Sequence, residues 1–133
     1  MSSRFVPYHK ESVEFAKELT FNCPTLLGRY QKIINYINKT FTYNYIRAIQ
    51  QTNNKNCLPS VKGCWEKKTG VSMDISAMAT GMMRAVGIDA RFCRGKADGQ
   101  PQAWVEAWID GKHYRYDYRI GKARKYSVEK MYI

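Results

Sequence analysis

The sequence predicts a domain of the α+β class, and three observations carry that prediction. Apolar residues recur at three- and four-residue intervals as far as Val86, they alternate with polar ones from Ile88 onward, and Asp110-Gly111 sits between two alternating runs. Helical periods in one part of a chain and strand periods in another mark the α+β arrangement rather than repeating β-α-β units. A length of 133 residues suits one core, so residues 1–133 are expected to form a single domain. An aromatic content of 14% argues that this core is packed, because chains that stay disordered are poor in aromatics.

Phe15, Ala16 and Leu19 give one apolar stripe to a short first helix over 11–20. Leu26, Leu27, Tyr30, Ile33, Ile34 and Ile37 do the same for a second helix over 25–38, with Pro24 where a helix start tolerates proline. The stretch FTYNYIRA (41–48) fits either period, and QQTNNKNCLPSVKG (50–63) reads as loop because it carries Asn, Pro, Ser and Gly without periodicity. Ile75, Met78, Ala79, Met82 and Val86 mark a central helix over 72–86, with Gly87 as its stop. Strands are expected over 88–93, 103–109 and 112–118.

Twenty-two Lys and Arg against eleven Asp and Glu leave a net charge of +11, which attracts polyanions by long-range field alone. The densest cluster is RIGKARK (119–125), so Arg115, Arg119, Lys122, Arg124 and Lys125 are the candidates for polyanion contacts, with a solvated basic face the alternative. Nucleic acid is disfavoured, because no recognition helix, zinc-knuckle spacing or RNA-binding aromatic signature accompanies the charge. No run of eighteen apolar residues exists and the N-terminus lacks the apolar stretch of a signal peptide, so a soluble monomer without a spanning helix is expected. The four cysteines lack the CxxC pairs of zinc or redox sites, and no metal or cofactor is expected. Cys57 and Cys64 are the one pair placed for a local disulfide, with reduced structural thiols the alternative.

An Asp-Gly pair favours a two-residue hairpin because both turn positions need positive φ. With so tight a turn, Ile109 pairs with Lys112, and Trp108, Glu106, Trp104 and Gln102 face His113, Arg115, Asp117 and Arg119 on one side of the hairpin. This register predicts a Glu106–Arg115 ion pair and makes Gln102 and Asp117 diagonal neighbours, roughly 7–8 Å apart at Cβ. A histidine and its orienting carboxylate would use that geometry, but residue 102 is a glutamine.

From about Tyr30 to Tyr118 the chain resembles the transglutaminase-like proteins, whose members share a papain-like Cys-His-Asp triad. In bacterial members the nucleophile segment reads G-x-C-x-D, followed by R-x-x-G-I-x-A-R, then H-A-W-x-E, then an aspartate beyond a further strand start. The corresponding stretches here are GVSMDISA (70–77), RAVGIDAR (84–91), QAWVE (102–106) and DGKHYRYD (110–117). The resemblance implies N-terminal helices and a central helix packed on an antiparallel sheet. It places the family's cysteine on Ser72, its histidine on Gln102 and its aspartate on Asp117, with Trp104, Trp108 and Arg119 along the cleft, and core packing as the alternative for the two tryptophans. It also implies a secreted or cell-surface setting.

These substitutions change the chemistry. A cysteine at a helix N-terminus becomes a thiolate when the dipole and an imidazolium lower its pKa from ~8.5 to between ~3.5 and ~7.5. A serine hydroxyl there stays protonated and needs a base, and a glutamine amide cannot take up a proton at neutral pH. His113 lies four residues from Asp117, ~13 Å along a strand, too far to substitute, and His9 falls in an N-terminal stretch expected to be mobile. Cys93 is expected to be a buried, inert thiol. Ser72 is read as a helix cap at a retired nucleophile position, with Asp74 favourable to the dipole in the first turn. The expected function is therefore noncatalytic recognition of a protein, peptide or anionic surface polymer. The alternatives are slow acyl transfer or hydrolysis by Ser72, and a polyanion-binding module.

Overall fold

A computed structural model describes residues 5–52, 58–118 and 125–132. The first helix, α1 (Lys10–Leu19), starts at His9, whose Nδ1 accepts the Ser12 N–H at 3.2 Å. His9, expected in a mobile stretch, is instead the cap that fixes the helix start. The second helix, α2 (Leu26–Thr40), is capped by Thr25, whose hydroxyl accepts the Gly28 N–H at 3.0 Å, so Pro24 precedes the helix rather than opening it.

The ambiguous FTYNYIRA stretch divides between both periods. Thr42 and Tyr43 form β1, paired in parallel with β2 (Thr69–Gly70). Asn44 then accepts the Arg47 N–H through Oδ1 at 3.0 Å and starts α3 (Tyr45–Thr52). The segment read as loop ends inside a further helix, α4 (Val61–Lys67), which buries Val61 and Cys64 and stops at Lys68 in the left-handed region, φ 55°. Seven residues are too few for a periodic signal, which is why composition alone suggested loop.

The central helix α5 (Ser72–Ala85) is buried almost all round, from Ser72 to Thr80 without interruption and again at Met82 and Met83. Four strands follow: β3 (Asp89–Ala97), β4 (Gln100–Ile109), β5 (Lys112–Tyr116) and β6 (Tyr126–Tyr132), in the antiparallel order β5-β4-β3-β6. Asp110 and Gly111 both have positive φ, 51° and 80°, and Ile109–Lys112, Trp108–His113 and Glu106–Arg115 pair as the tight turn demands. Asp98-Gly99 repeats that turn, with φ of 49° and 82°, and joins β3 to β4, which extends both strands beyond their expected ends. The fourth strand has no alternating apolar signal because most of its residues are exposed.

One sheet face, formed by Ala90, Phe92, Ala103, Val105, Ala107 and Ile109, belongs to the core shared with α5 and with Tyr30, Ile33 and Ile37 of α2. The other face is also covered: Cys93 and Trp104 have no exposed surface. Between β3 and β6 the register shifts at Arg94/Gly95, and a Cβ on Gly95 would lie 2.0 Å from the Ser127 carbonyl oxygen. Only glycine permits that approach. Gly95→Ala is therefore expected to destabilise the fold by about 1–3 kcal/mol, read as a lower urea midpoint.

Cys23, Cys64 and Cys93 are free thiols; Cys57 of the anticipated Cys57–Cys64 disulfide lies outside the described residues. Burial, reinforced by Asp74, pushes the Cys64 thiol up to about 12, and burial, reinforced by Glu106, does the same for Cys93. Both contribute stability in full below the unfolded thiol pKa, ~8.5, and that contribution declines as the pH rises toward the folded value. At pH 8 a disulfide reagent should therefore leave Cys64 and Cys93 unmodified until denaturant is added, and the urea midpoint should fall above pH ~9.

Candidate functional site

The start of α5 is organised by a carboxylate. Val71 is the N-cap, with extended backbone, and Ser72 is the first helical residue, so Ser72 is not the cap that the sequence suggested. The orphan N–H of Val71 is satisfied instead by Asp74 Oδ2 at 3.1 Å. Asp74 is 1% exposed and accepts two further bonds from Arg47, at 2.6 Å to Oδ2 and 2.8 Å to Oδ1, and one from the Ser60 N–H at 2.8 Å. Arg47 also donates to the Leu58 carbonyl at 2.8 Å. The helix dipole and the paired guanidinium make a buried anion tolerable here. Arg47 was not foreseen, because its helix lies in a stretch of ambiguous period.

The diagonal contact implied by the hairpin register is present. Gln102 Nε2 donates to Asp117 Oδ1 at 2.7 Å, and the Tyr126 hydroxyl donates to Asp117 Oδ2 at 2.7 Å. Burial raises the Tyr126 phenol well above its ordinary range, and its bond to Asp117 raises it further, so it stays a donor. Its ring stands edge-on to Trp104 at 4.9 Å, with the Arg115 guanidinium 4.0 Å from its centroid. Tyr126 escaped the sequence reading because its strand did. One turn beyond Ser72, the Ser76 hydroxyl donates to the Ala103 carbonyl at 3.2 Å, so the helix start and the Gln102–Asp117 pair meet the same end of β4.

Several expected site residues lie elsewhere. Trp104, for which cleft and core are the two sequence readings, is in the core: it is fully buried and donates its indole N–H to Glu106 Oε2 at 2.6 Å. Glu106, 2% exposed, also accepts from Arg115 Nε at 2.8 Å and pairs with His113. Arg115, a polyanion candidate, is thus turned to an internal carboxylate. Trp108 lies against Arg91 and His113 near the turn, six residues from Gln102, or ~20 Å along the strand. Lys125 is exposed, whereas Arg119, Lys122 and Arg124 lie outside the described residues. Among the described residues no group of three or more His, Cys, Asp or Glu could hold a metal ion, and no helix is long and apolar enough to cross a membrane.

N-terminal helices and a central helix packed on an antiparallel sheet are the architecture of a known group. The profile of the transglutaminase-like superfamily matches residues 13–118, and the chain belongs to that superfamily. No curated protein matches the sequence. Among solved structures it is similar to a "Putative Cysteine Protease" from Cytophaga hutchinsonii, with a TM-score of 0.70 at 20% identity over 90% of this chain and 40% of the other. A "putative protease" from Parabacteroides distasonis gives 0.66 at 17% identity over 81% and 23%, and a protein named as a TGase gives 0.63 at 16% over 89% and 33%. The chain thus spans less than half the length of each of these three.

Replacing Asp74 by Ala would strand Arg47 beside an uncapped helix start. The expected loss is about 3–5 kcal/mol in urea unfolding.

Proposed function

We propose that this domain is a noncatalytic member of its superfamily, a recognition module for a polypeptide segment lying over the start of α5 and the Gln102–Asp117 pair. The observation that carries this reading is the pair of hydrogen bonds on Asp117, from the Gln102 amide and the Tyr126 hydroxyl. We match Ser72, Gln102 and Asp117 to the superfamily's Cys, His and Asp. In a triad the acid orients an imidazole that shuttles a proton. Here it orients an amide of similar reach that cannot take one up.

Ser72 gains from the helix dipole only ~0.3–1 kcal/mol, under one pKa unit, far too little to ionise a hydroxyl at neutral pH. With the Gln102 N–H₂ turned to Asp117, the amide oxygen faces away from it as an acceptor. An amide acceptor near one end of β4 and a hydroxyl in the first turn of α5 suit the neutral donor and acceptor of a peptide bond. Two of the similar structures are named as proteases, which favours a polypeptide over an anionic polymer as the ligand. The engagement of Arg115 by Glu106 weakens the polyanion reading in the same direction.

Two measurements test the proposal. A serine-directed fluorophosphonate should leave Ser72 unlabelled at neutral pH; stoichiometric labelling would overturn the noncatalytic reading in favour of a Ser72 hydrolase. The double variant Ser72→Cys with Gln102→His should acquire iodoacetamide-sensitive amidase or esterase activity about a hundredfold above either single variant, the lower end of what a positioned base supplies.

A further inference from the structure

The side of α5 that turns away from the sheet carries a feature that neither the packing nor the cleft requires. At 100° per residue, Ser76 marks the sheet side, while Ala77, Met78, Gly81 and Ala85 form one stripe on the opposite side. That stripe floors a cavity of about 280 Å³, roofed by the segment Val6–His9, by α1 and by Val61 of α4.

Gly81 is the informative residue. A glycine inside a helix costs stability relative to alanine through backbone entropy. At Gly95 a neighbouring backbone demands that cost, but a Cβ on Gly81 would meet nothing within 4 Å among the described residues outside its own helix. Among those residues Gly81 therefore serves no close contact, and the space where a side chain would stand is part of the cavity.

The walls are apolar, with Val13, Val61, Ala77, Met78 and Ala85, and the charged side chains that line it are basic. Lys17 and Arg84 line it together with His9, and among the described residues no carboxylate does. Glu11 and Glu14 stand outside the lining, 3.2 Å from His9 and 3.8 Å from Lys17. Arg84 is steadied there by bonds from Nε to the Ala90 carbonyl at 2.8 Å and from a terminal nitrogen to the Tyr132 carbonyl at 3.1 Å. The volume equals about nine waters at ~30 Å³ each, enough for an organic molecule of eight or nine heavy atoms. An apolar pocket with a few fixed charges at one end is the usual form of a small-molecule site.

We propose that this cavity binds a small anionic amphiphile, a carboxylate with an apolar tail of about five carbons, its tail over Gly81 and its charge toward Lys17 and Arg84. The site is distinct from the Ser72 side of the helix, which shares the sheet-facing side marked by Ser76.

The test is methyl NMR of the whole chain labelled at methionine, titrated with sodium hexanoate, hexan-1-ol and hexylamine. Hexanoate is expected to shift the Met78 methyl saturably, with Met131 unmoved, and to bind at least about tenfold tighter than the alcohol or the amine. Gly81→Leu should abolish the shift by filling the floor. Gly81→Ala, which a helix favours, should keep the protein folded, raise its Tm by a few degrees, and weaken hexanoate severalfold. Lys17→Gln should weaken hexanoate but not hexanol. The proposal is overturned if Met78 shows no saturable shift up to about 10 mM hexanoate, ten times a Kd of ~1 mM. Equal binding of hexanol would show a purely apolar hole suited to a partner's side chain, and hexanoate binding unchanged by Gly81→Ala would place it elsewhere; either result also overturns it.

Discussion

The structure depends on a single buried anion. Asp74, one turn into the central helix, gathers the guanidinium of Arg47, the Ser60 N–H and the Val71 N–H onto its two oxygens. Those donors come from three separate stretches of chain, so one side chain aligns α3, the approach to α4 and the first turn of α5. An uncompensated carboxylate in that position would cost several kcal/mol. The arrangement is stable because every oxygen is engaged and because the helix dipole favours negative charge at that end. Ser72 holds its place because Asp74 holds the backbone around it.

A second polar system lies on the far face of the sheet. Glu106 receives Trp104 and Arg115 and pairs with His113, while Arg115 in turn lies over the ring of Tyr126, which donates to Asp117. This chain of contacts explains how an antiparallel sheet buries both faces: one against apolar helices, the other beneath interlocked aromatic and charged side chains. Trp104 belongs to that layer, which is why it lines no cleft. Gln102 stands at the end of the layer, where its amide meets Asp117.

Much of this was legible in the sequence, for local reasons. The central helix showed because its apolar residues are many and regularly spaced, and the hairpin register followed from Asp110-Gly111 by counting. The same arithmetic placed Gln102 beside Asp117 and Glu106 opposite Arg115. What escaped has equally physical causes. The Asp98-Gly99 turn is the same device, but Gly95 and Lys96 break the alternation that would have flagged it. The seven residues of α4 show no period, and β6 is too exposed to advertise itself. Tyr126 lies in β6 and Arg47 in the stretch of ambiguous period that forms α3, and their partners are 9 and 27 residues away, so no local pattern links them.

The order of strands has a consequence for how the domain assembles. β3, β4 and β5 form a meander closed by two tight turns, each costing little chain entropy, so their pairing relies on local contacts. β6 instead returns from the β5 side to pair with β3 at the opposite edge, and it brings Tyr126 with it. Chain entropy therefore favours the hairpins as the early structure and β6 as the late one. Asp117 can hold Gln102 as soon as β4 and β5 zip together, but its second oxygen is satisfied only when the chain's final strand docks.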